Sequence, residues 1–116
     1  MPIEHISCQQ LEAMLLETPD LPILDVRSKE EFTHIGHIPS AQLVPIRELA
    51  YSLGMLDPSK TIAVICQHGV RSLDACYFLE SAGFTKLLNV VEGFCEWQGA
   101  FEREEIHSDK TSKKTA

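Results

Sequence analysis

No apolar stretch of this chain approaches the length of a bilayer-spanning helix, and its start, Met1-Pro2-Ile3-Glu4-His5, lacks the basic-then-apolar pattern of a secretory signal. No membrane partner is expected, and the default compartment is the cytoplasm. Basic residues are scarce: 10 Lys and Arg stand against 17 Asp and Glu, for a net charge of −7. The last ten residues carry three lysines and only Asp109, so the preceding body is more acidic still. Such a body argues against nucleic acid as a partner. Four cysteines, Cys8, Cys66, Cys76 and Cys95, are read as reduced thiols, because a chain with 44% hydrophobic residues has core enough without a disulfide framework. His5 with Cys8, and His34 with His37, have metal-ligand spacings. No second matched pair completes a Cys/His framework, so no zinc is expected. No internal repeat is evident.

The 116 residues suit one domain, placed at residues 1–106, with residues 107–116 a polar tail without periodicity that is expected to be disordered. Ser7 with Gln10 forms a capping box ahead of Leu11, Met14 and Leu15 at helical spacing, and Pro19 ends the segment. Leu21 to Val26 reads as a buried strand. Ser28 with Glu31 makes a second capping box, opening a short helix with Phe32 and Ile35 that stops at Gly36. Ala41 to Val44 is a further strand, followed by an amphipathic helix carrying Ile46, Leu49, Ala50 and Leu53. The β-branched run Thr61 to Ile65 is the strongest strand. A helix follows with Ala75, Phe78, Leu79 and Ala82 on one face and Gly83 as its stop, then a strand from Leu87 to Val91. A last helix from about Gly93 is expected to carry Phe94, Trp97 and Phe101. Apolar strands alternating with helical patterns imply an α/β fold, a parallel sheet covered by helices on both faces. Sites in such folds gather beyond the carboxyl ends of the strands.

Cys66 stands at one such end. The run Thr61 to Ile65 delivers it into the loop Gln67-His68-Gly69-Val70, which opens at Arg71-Ser72 onto a helix. A helix N-terminus carries partial positive charge and unpaired N–H groups, which bind anions and stabilise a thiolate. Gly69 is free to take a positive φ, so that successive N–H groups can point inward as an anion-binding nest. His68 and Arg71 add cationic or hydrogen-bonding character. The pattern is that of a nucleophilic thiol acting on an anion or holding an anionic group.

The stretch Cys66-Gln67-His68-Gly69-Val70-Arg71-Ser72 resembles the rhodanese family of sulfurtransferases, and closely its small single-domain members. Asp25-Val26-Arg27, Glu31-Phe32, Gly36-His37-Ile38-Pro39-Ser40-Ala41, and Gly93 with Trp97 occur in the family's order and spacing, over residues 3 to about 103. The resemblance implies a rhodanese-like fold with a central five-stranded parallel sheet flanked by helices on both faces. It implies that Cys66 accepts sulfane sulfur from a small donor such as thiosulfate or a persulfide. The resulting persulfide on Cys66 is cradled by residues Gln67 to Arg71, and its outer sulfur passes to cyanide, a thiol or a protein thiol. No metal or organic cofactor is implied. The Cys-x4-Arg loop is one residue shorter than the Cys-x5-Arg loop of cysteine phosphatases, a tighter nest that suits a single sulfur atom.

Several roles stay open in the sequence. His68 either touches the donor or lines the loop, and Arg71 either orients substrate or pairs with a carboxylate. Asp25 and Arg27 resemble the family's supporting residues, with Glu31 within reach of Arg27. Glu92 stands where the family often has glycine and is expected to bring negative charge to the pocket rim, disfavouring thiosulfate. Trp97 reads as core. Cys95 is the candidate for a disulfide with Cys66 under oxidation, because the family folds its segment near the active-site mouth. The rivals to a sulfurtransferase are a non-enzymatic sulfur-carrying or regulatory protein-binding module, and a phosphatase or arsenate reductase using Cys66.

Overall fold

The computed structural model describes residues 2–104, so the expectation of a disordered tail lies outside the described residues. Five strands form one sheet: β1 (Ile3–Ile6), β2 (Ile23–Asp25), β3 (Gln42–Leu43), β4 (Ile62–Ile65) and β5 (Leu87–Val90). Their order is β1-β5-β4-β2-β3 and every neighbouring pair is parallel. The two α-helices, α1 (Cys8–Glu17) and α2 (Val70–Ser81), belong to opposite faces. Strand alternation assigns the side chains. Leu24, Val64 and Leu87 pack with Ala75 and Leu79 of α2, whereas Ile23, Ala63, Ile65 and Leu88 pack with Leu11 of α1. The central strands β4 and β5 are buried on both sides, which is why they read as continuous apolar runs.

Both capping boxes form. Ser7 Oγ accepts the Gln10 amide at 3.0 Å and Gln10 Oε1 accepts the Ser7 amide at 2.8 Å. Ser28 and Glu31 exchange the equivalent bonds at 2.9 and 3.2 Å. The helix opened by the second box is a five-residue π-helical turn, Glu31–Ile35, closed by Gly36.

Other expectations need correction. β1 escapes the periodicity because it is a four-residue edge strand, of which only Ile6 is fully buried. The helix expected over Ile46 to Leu53 is two 3₁₀ segments, Ile46–Tyr51 and Leu53–Met55, broken at Ser52. Apolar residues three apart satisfy a 3₁₀ turn as well as an α-helix, and here only Leu49 is fully buried. On α2 the buried stripe is Ser72, Ala75, Cys76 and Leu79, which leaves Phe78 and Ala82 outward. The last helix shrinks to a 3₁₀ turn at Phe94–Glu96, after which Trp97 is extended. Gly99 makes a poor helix interior, and Glu102 leaves instead to pair antiparallel with His37, with Phe101 51% exposed. Trp97 packs against the α1-side core as read. No helix among the described residues is long and apolar enough to cross a membrane.

Candidate active site

The carboxyl end of β4 delivers Cys66 into a loop that closes around its own sulfur. The Gly69 amide donates to Cys66 Sγ at 3.0 Å and the Ser72 amide at 3.2 Å, while the thiol faces Ser72 Oγ at 3.4 Å. This curl needs Gly69 at φ 90°, as the N-cap residue of α2. A Cβ there would collide with the Val91 carbonyl, so no other residue fits. From the other side, Gly93 backs onto the Gln67 carbonyl with equally little room for a side chain. The turn after β5 then braces the loop: the Phe94 amide donates to Cys66 O at 2.8 Å and the Cys95 amide to Gln67 O at 3.1 Å. Cys66 is left 1% exposed at the bottom of a cup of backbone N–H groups. The first-turn amides of a helix have no intrahelical acceptors, and the dipole adds to their pull on negative charge.

Asp25 and Arg27 stand beneath this cup. The buried Arg27 guanidinium donates to both Asp25 carboxylate oxygens at 2.9 and 2.8 Å, to Gly36 O at 2.6 Å and to Gln67 Oε1 at 2.8 Å, and it lies over the Phe94 ring. All the buried side-chain nitrogen and oxygen atoms of the described residues find partners, as a desolvated ion pair requires. Arg27 thus ties β2, the turn at Gly36 and the cysteine loop together. Gln67 serves that tie through its side chain.

The expected reach of Arg27 to Glu31 is not what forms. Glu31 takes Arg71 instead, in a two-pronged pair at 2.8 Å on each arm. Arg71 beside it holds the Glu31 carboxyl down to about 2, with the Ser28 amide assisting, and Glu31 in turn raises the Arg71 guanidinium. The guanidinium therefore faces a carboxylate. His68 is exposed at the loop's outer edge, as is Val70, and His68 has no hydrogen-bond partner among the described residues.

Glu92 has a partner that the sequence does not suggest. Its carboxylate accepts the Cys8 amide at 2.7 Å, capping α1, and its neighbours are Gln9, Glu12 and Glu96. The four cysteines are free. Burial first, then the Glu92 carboxylate, pushes the Cys8 thiol up to about 12, and burial does the same for Cys76. Cys95 is exposed, with its thiol on Glu92 O at 3.4 Å. No group of three or more potential metal ligands gathers among the described residues.

Two residues at the site carried no role in the sequence reading. Ser72 is fully buried and donates to Asn89 Oδ1 at 2.6 Å, and Asn89 Nδ2 stands 3.3 Å from His5 Nδ1. The sequence signal was the lone Asn inside the apolar run Leu87 to Val91, an interruption that a buried strand tolerates only when the amide is hydrogen-bonded.

The chain is similar in sequence and fold to known proteins. The thiosulfate sulfurtransferase GlpE of Shewanella oneidensis is 32% identical over 97 residues, spanning 84% of this chain and 94% of that one. The crystal structure of a rhodanese-like domain protein from Staphylococcus aureus superposes with a TM-score of 0.80 at 31% identity, covering 88% of this chain and 99% of that one. A human single-domain sulfurtransferase, TSTD1, gives 0.68 at 27% identity, covering 84% and 95%. The family model of the rhodanese-like domain matches residues 7–100, and with it the chain belongs to the rhodanese-like domain family.

Proposed function

We propose that the protein is a sulfurtransferase that carries sulfane sulfur as a persulfide on Cys66. The observation that carries this reading is the pair of amide donors, Gly69 and Ser72, converging on Cys66 Sγ at a helix N-terminus. The Cys66 thiolate attacks the outer sulfur of a donor. With thiosulfate the S–S bond breaks, sulfite leaves with the bonding pair, and Cys66 keeps a terminal sulfur bearing one negative charge. Cyanide, a small thiolate or a protein thiolate then attacks that terminal sulfur and releases the Cys66 thiolate. The relatives named thiosulfate sulfurtransferase favour this chemistry. Negative charge on the terminal sulfur is what the loop amides and the α2 dipole suit.

Phosphate-ester chemistry fits less well, because Arg71, the group a phosphate would require, is engaged by Glu31 in a loop of Cys-x4-Arg length. Asp25 engages the other arginine. A dianionic donor therefore meets amide dipoles at a loop whose Arg71 and bracing Arg27 are both paired with carboxylates, which favours a persulfide donor of low charge over thiosulfate. Residues 1–106 are proposed as one domain, and the cytoplasm suits its four free thiols.

The test is the intact mass of wild type and Cys66→Ser after thiosulfate or a small alkyl persulfide, followed by cyanide. Wild type alone gains one sulfur atom, and cyanide removes it as thiocyanate. Failure to gain sulfur from either donor, with Cys66-dependent hydrolysis of a phenyl phosphate, would replace this reading by a phosphatase.

A further inference from the structure

We propose that Asn89 and His5 are positioning residues that set the direction of the Ser72 hydroxyl and thereby govern the charge state of Cys66. The inference rests on Cys66 being the reacting sulfur. Ser72 and Asn89 are 0% and 2% exposed, polar side chains set among the apolar residues between α2 and the sheet. The register that pairs His5 with Asn89 across β1 and β5 places both on the side where the first turn of α2 presents Ser72. One continuous chain runs from sulfur to solvent: Cys66 Sγ to Ser72 Oγ at 3.4 Å, Ser72 Oγ to Asn89 Oδ1 at 2.6 Å, Asn89 Nδ2 to His5 Nδ1 at 3.3 Å.

A hydroxyl has one proton, so the chain has a direction. With Cys66 as the thiol it runs outward. The S–H donates to Ser72, Ser72 to the Asn89 oxygen, and the Asn89 amide nitrogen to a His5 ring protonated at Nε2. When Cys66 has lost its proton to a buffer base, or bears a terminal sulfur anion, it can only accept. The chain then fits by reversing. A half-turn of the Asn89 carboxamide offers its nitrogen to Ser72 Oγ and its oxygen to His5, which takes the Nδ1–H tautomer, and the Ser72 O–H is released to the sulfur. Every buried group keeps a partner in both directions, which an unreversed chain could not achieve. Asn89 can reverse because a carboxamide has a donor end and an acceptor end. His5 can follow because it is exposed and exchanges its ring proton with water, changing tautomer and not charge. Ser72 becomes a third donor to the sulfur, beside the Gly69 and Ser72 amides.

The other charged and titratable groups around Cys66 are separate from this chain. Asp25 and Arg27 beyond β2 pair with each other, Arg71 pairs with Glu31, Cys76 stays a neutral thiol, and His68 lies on the loop's outer edge. None is altered by substitution at Asn89 or His5.

The test is the pH dependence of iodoacetamide alkylation at Cys66, read by peptide mass mapping, in wild type, Asn89→Asp, Asn89→Leu, Ser72→Ala and His5→Gln. A carboxylate is acceptor-only and holds the Ser72 O–H away from the sulfur. Asn89→Asp is therefore expected to raise the apparent Cys66 pKa by about one unit, a tenfold loss of thiolate below it. Asn89→Leu removes both the acceptor of the thiol state and the donor of the thiolate state but leaves the Ser72 O–H free for the sulfur, so its apparent pKa lies below that of Asn89→Asp. His5→Gln, with both a donor and an acceptor end, titrates as wild type. If Asn89→Asp does not fold, Ser72→Ala decides: it removes the hydroxyl that donates to the thiolate and is expected to raise the apparent Cys66 pKa, and an unchanged or lowered pKa there overturns the proposal. So does a His5→Gln titration unlike that of wild type. Sulfur gain from a donor, measured alongside, separates the two readings. Unmoved titrations in variants that still gain sulfur refute the relay alone, and the expected shifts without sulfur gain refute the sulfurtransferase reading alone.

Discussion

Glu31→Gln isolates the charge that opposes an anionic donor. Gln keeps an oxygen for the Ser28 amide, so the capping box survives while the carboxylate facing Arg71 is lost. Net charge at the loop rises by one. One unit of charge acting on a dianion at a separation of about 8 Å, with an effective dielectric constant of about 60, is worth about 1.4 kcal/mol, roughly tenfold in kcat/KM. At physiological ionic strength the Debye length is about 8 Å, which leaves a gain of roughly twofold to threefold. The assay is kcat/KM for thiosulfate and for a persulfide of a neutral alkyl thiol, each at low and physiological salt, with cyanide as acceptor. Thiosulfate is expected to gain roughly tenfold at low salt and to lose most of the gain at physiological salt, and the persulfide to move less. Equal changes for both donors, or a thiosulfate gain indifferent to salt, would refute the electrostatic reasoning.

The same pair gives a pH dependence with a definite sign. Glu31 is held down to about 2 from an ordinary 4.5, so its contribution to stability is complete above about pH 4.5 and is lost as pH falls toward 2. Since the Arg71 side chain is 37% exposed, that contribution is only about 1 kcal/mol, readable as a smaller acid destabilisation of Glu31→Gln in denaturant melts. Arg27→Ala strands the buried Asp25 carboxylate and two further acceptors, Gln67 Oε1 and Gly36 O, and is expected to cost about 3–5 kcal/mol, whereas a cost under 1 kcal/mol would deny Arg27 its bracing role. Gly69→Ala sets a Cβ against the Val91 carbonyl at positive φ, and should lower the melting temperature and abolish sulfur gain together. Among Cys8, Cys76 and Cys95, only the exposed Cys95 should alkylate in the native protein at pH 8, the other two waiting for unfolding.

How much of this was legible follows from the range of each interaction. The capping boxes span three residues and were read correctly, as was the strand that carries Cys66 to the mouth of α2. The loop's glycine was legible as a residue that curls the chain. That Val91 and Gln67 carbonyls make Gly69 and Gly93 obligatory was not, because those contacts join the loop to the turn after β5. Arg27 and Glu31 are neighbours in sequence and opposite in charge, yet each finds its partner elsewhere. Arg27 has a closer carboxylate in Asp25, and once that pair forms Glu31 is free to take Arg71, 40 residues away. Glu92 reads as a rim charge until the sheet brings β1 beside β5 and offers it the Cys8 amide.

The misread carboxylates have one physical lesson for the site. Glu31 was assigned by proximity along the chain and Glu92 from the family pattern, and in the fold Glu31 is claimed by Arg71 and Glu92 by the Cys8 amide. Asp25 at the end of β2, Cys66 at the end of β4 and the turn after β5 meet because parallel strands point all their carboxyl ends one way. Arg27 and Arg71 are therefore engaged in holding the loop, and in the proposed reaction attraction for a negative sulfur falls to backbone amides, the α2 dipole and, in the proposed relay, one hydroxyl. Backbone amides are fixed by the fold and cannot be titrated away. A site built from them retains its pull on a persulfide anion at any pH at which the loop stays folded, so sulfur loading is expected to track the protonation of Cys66 and not that of Arg71 or Glu31. A loading profile that instead followed Glu31 into the acid range, with the protein still folded, would show the ion pair to be part of the cradle.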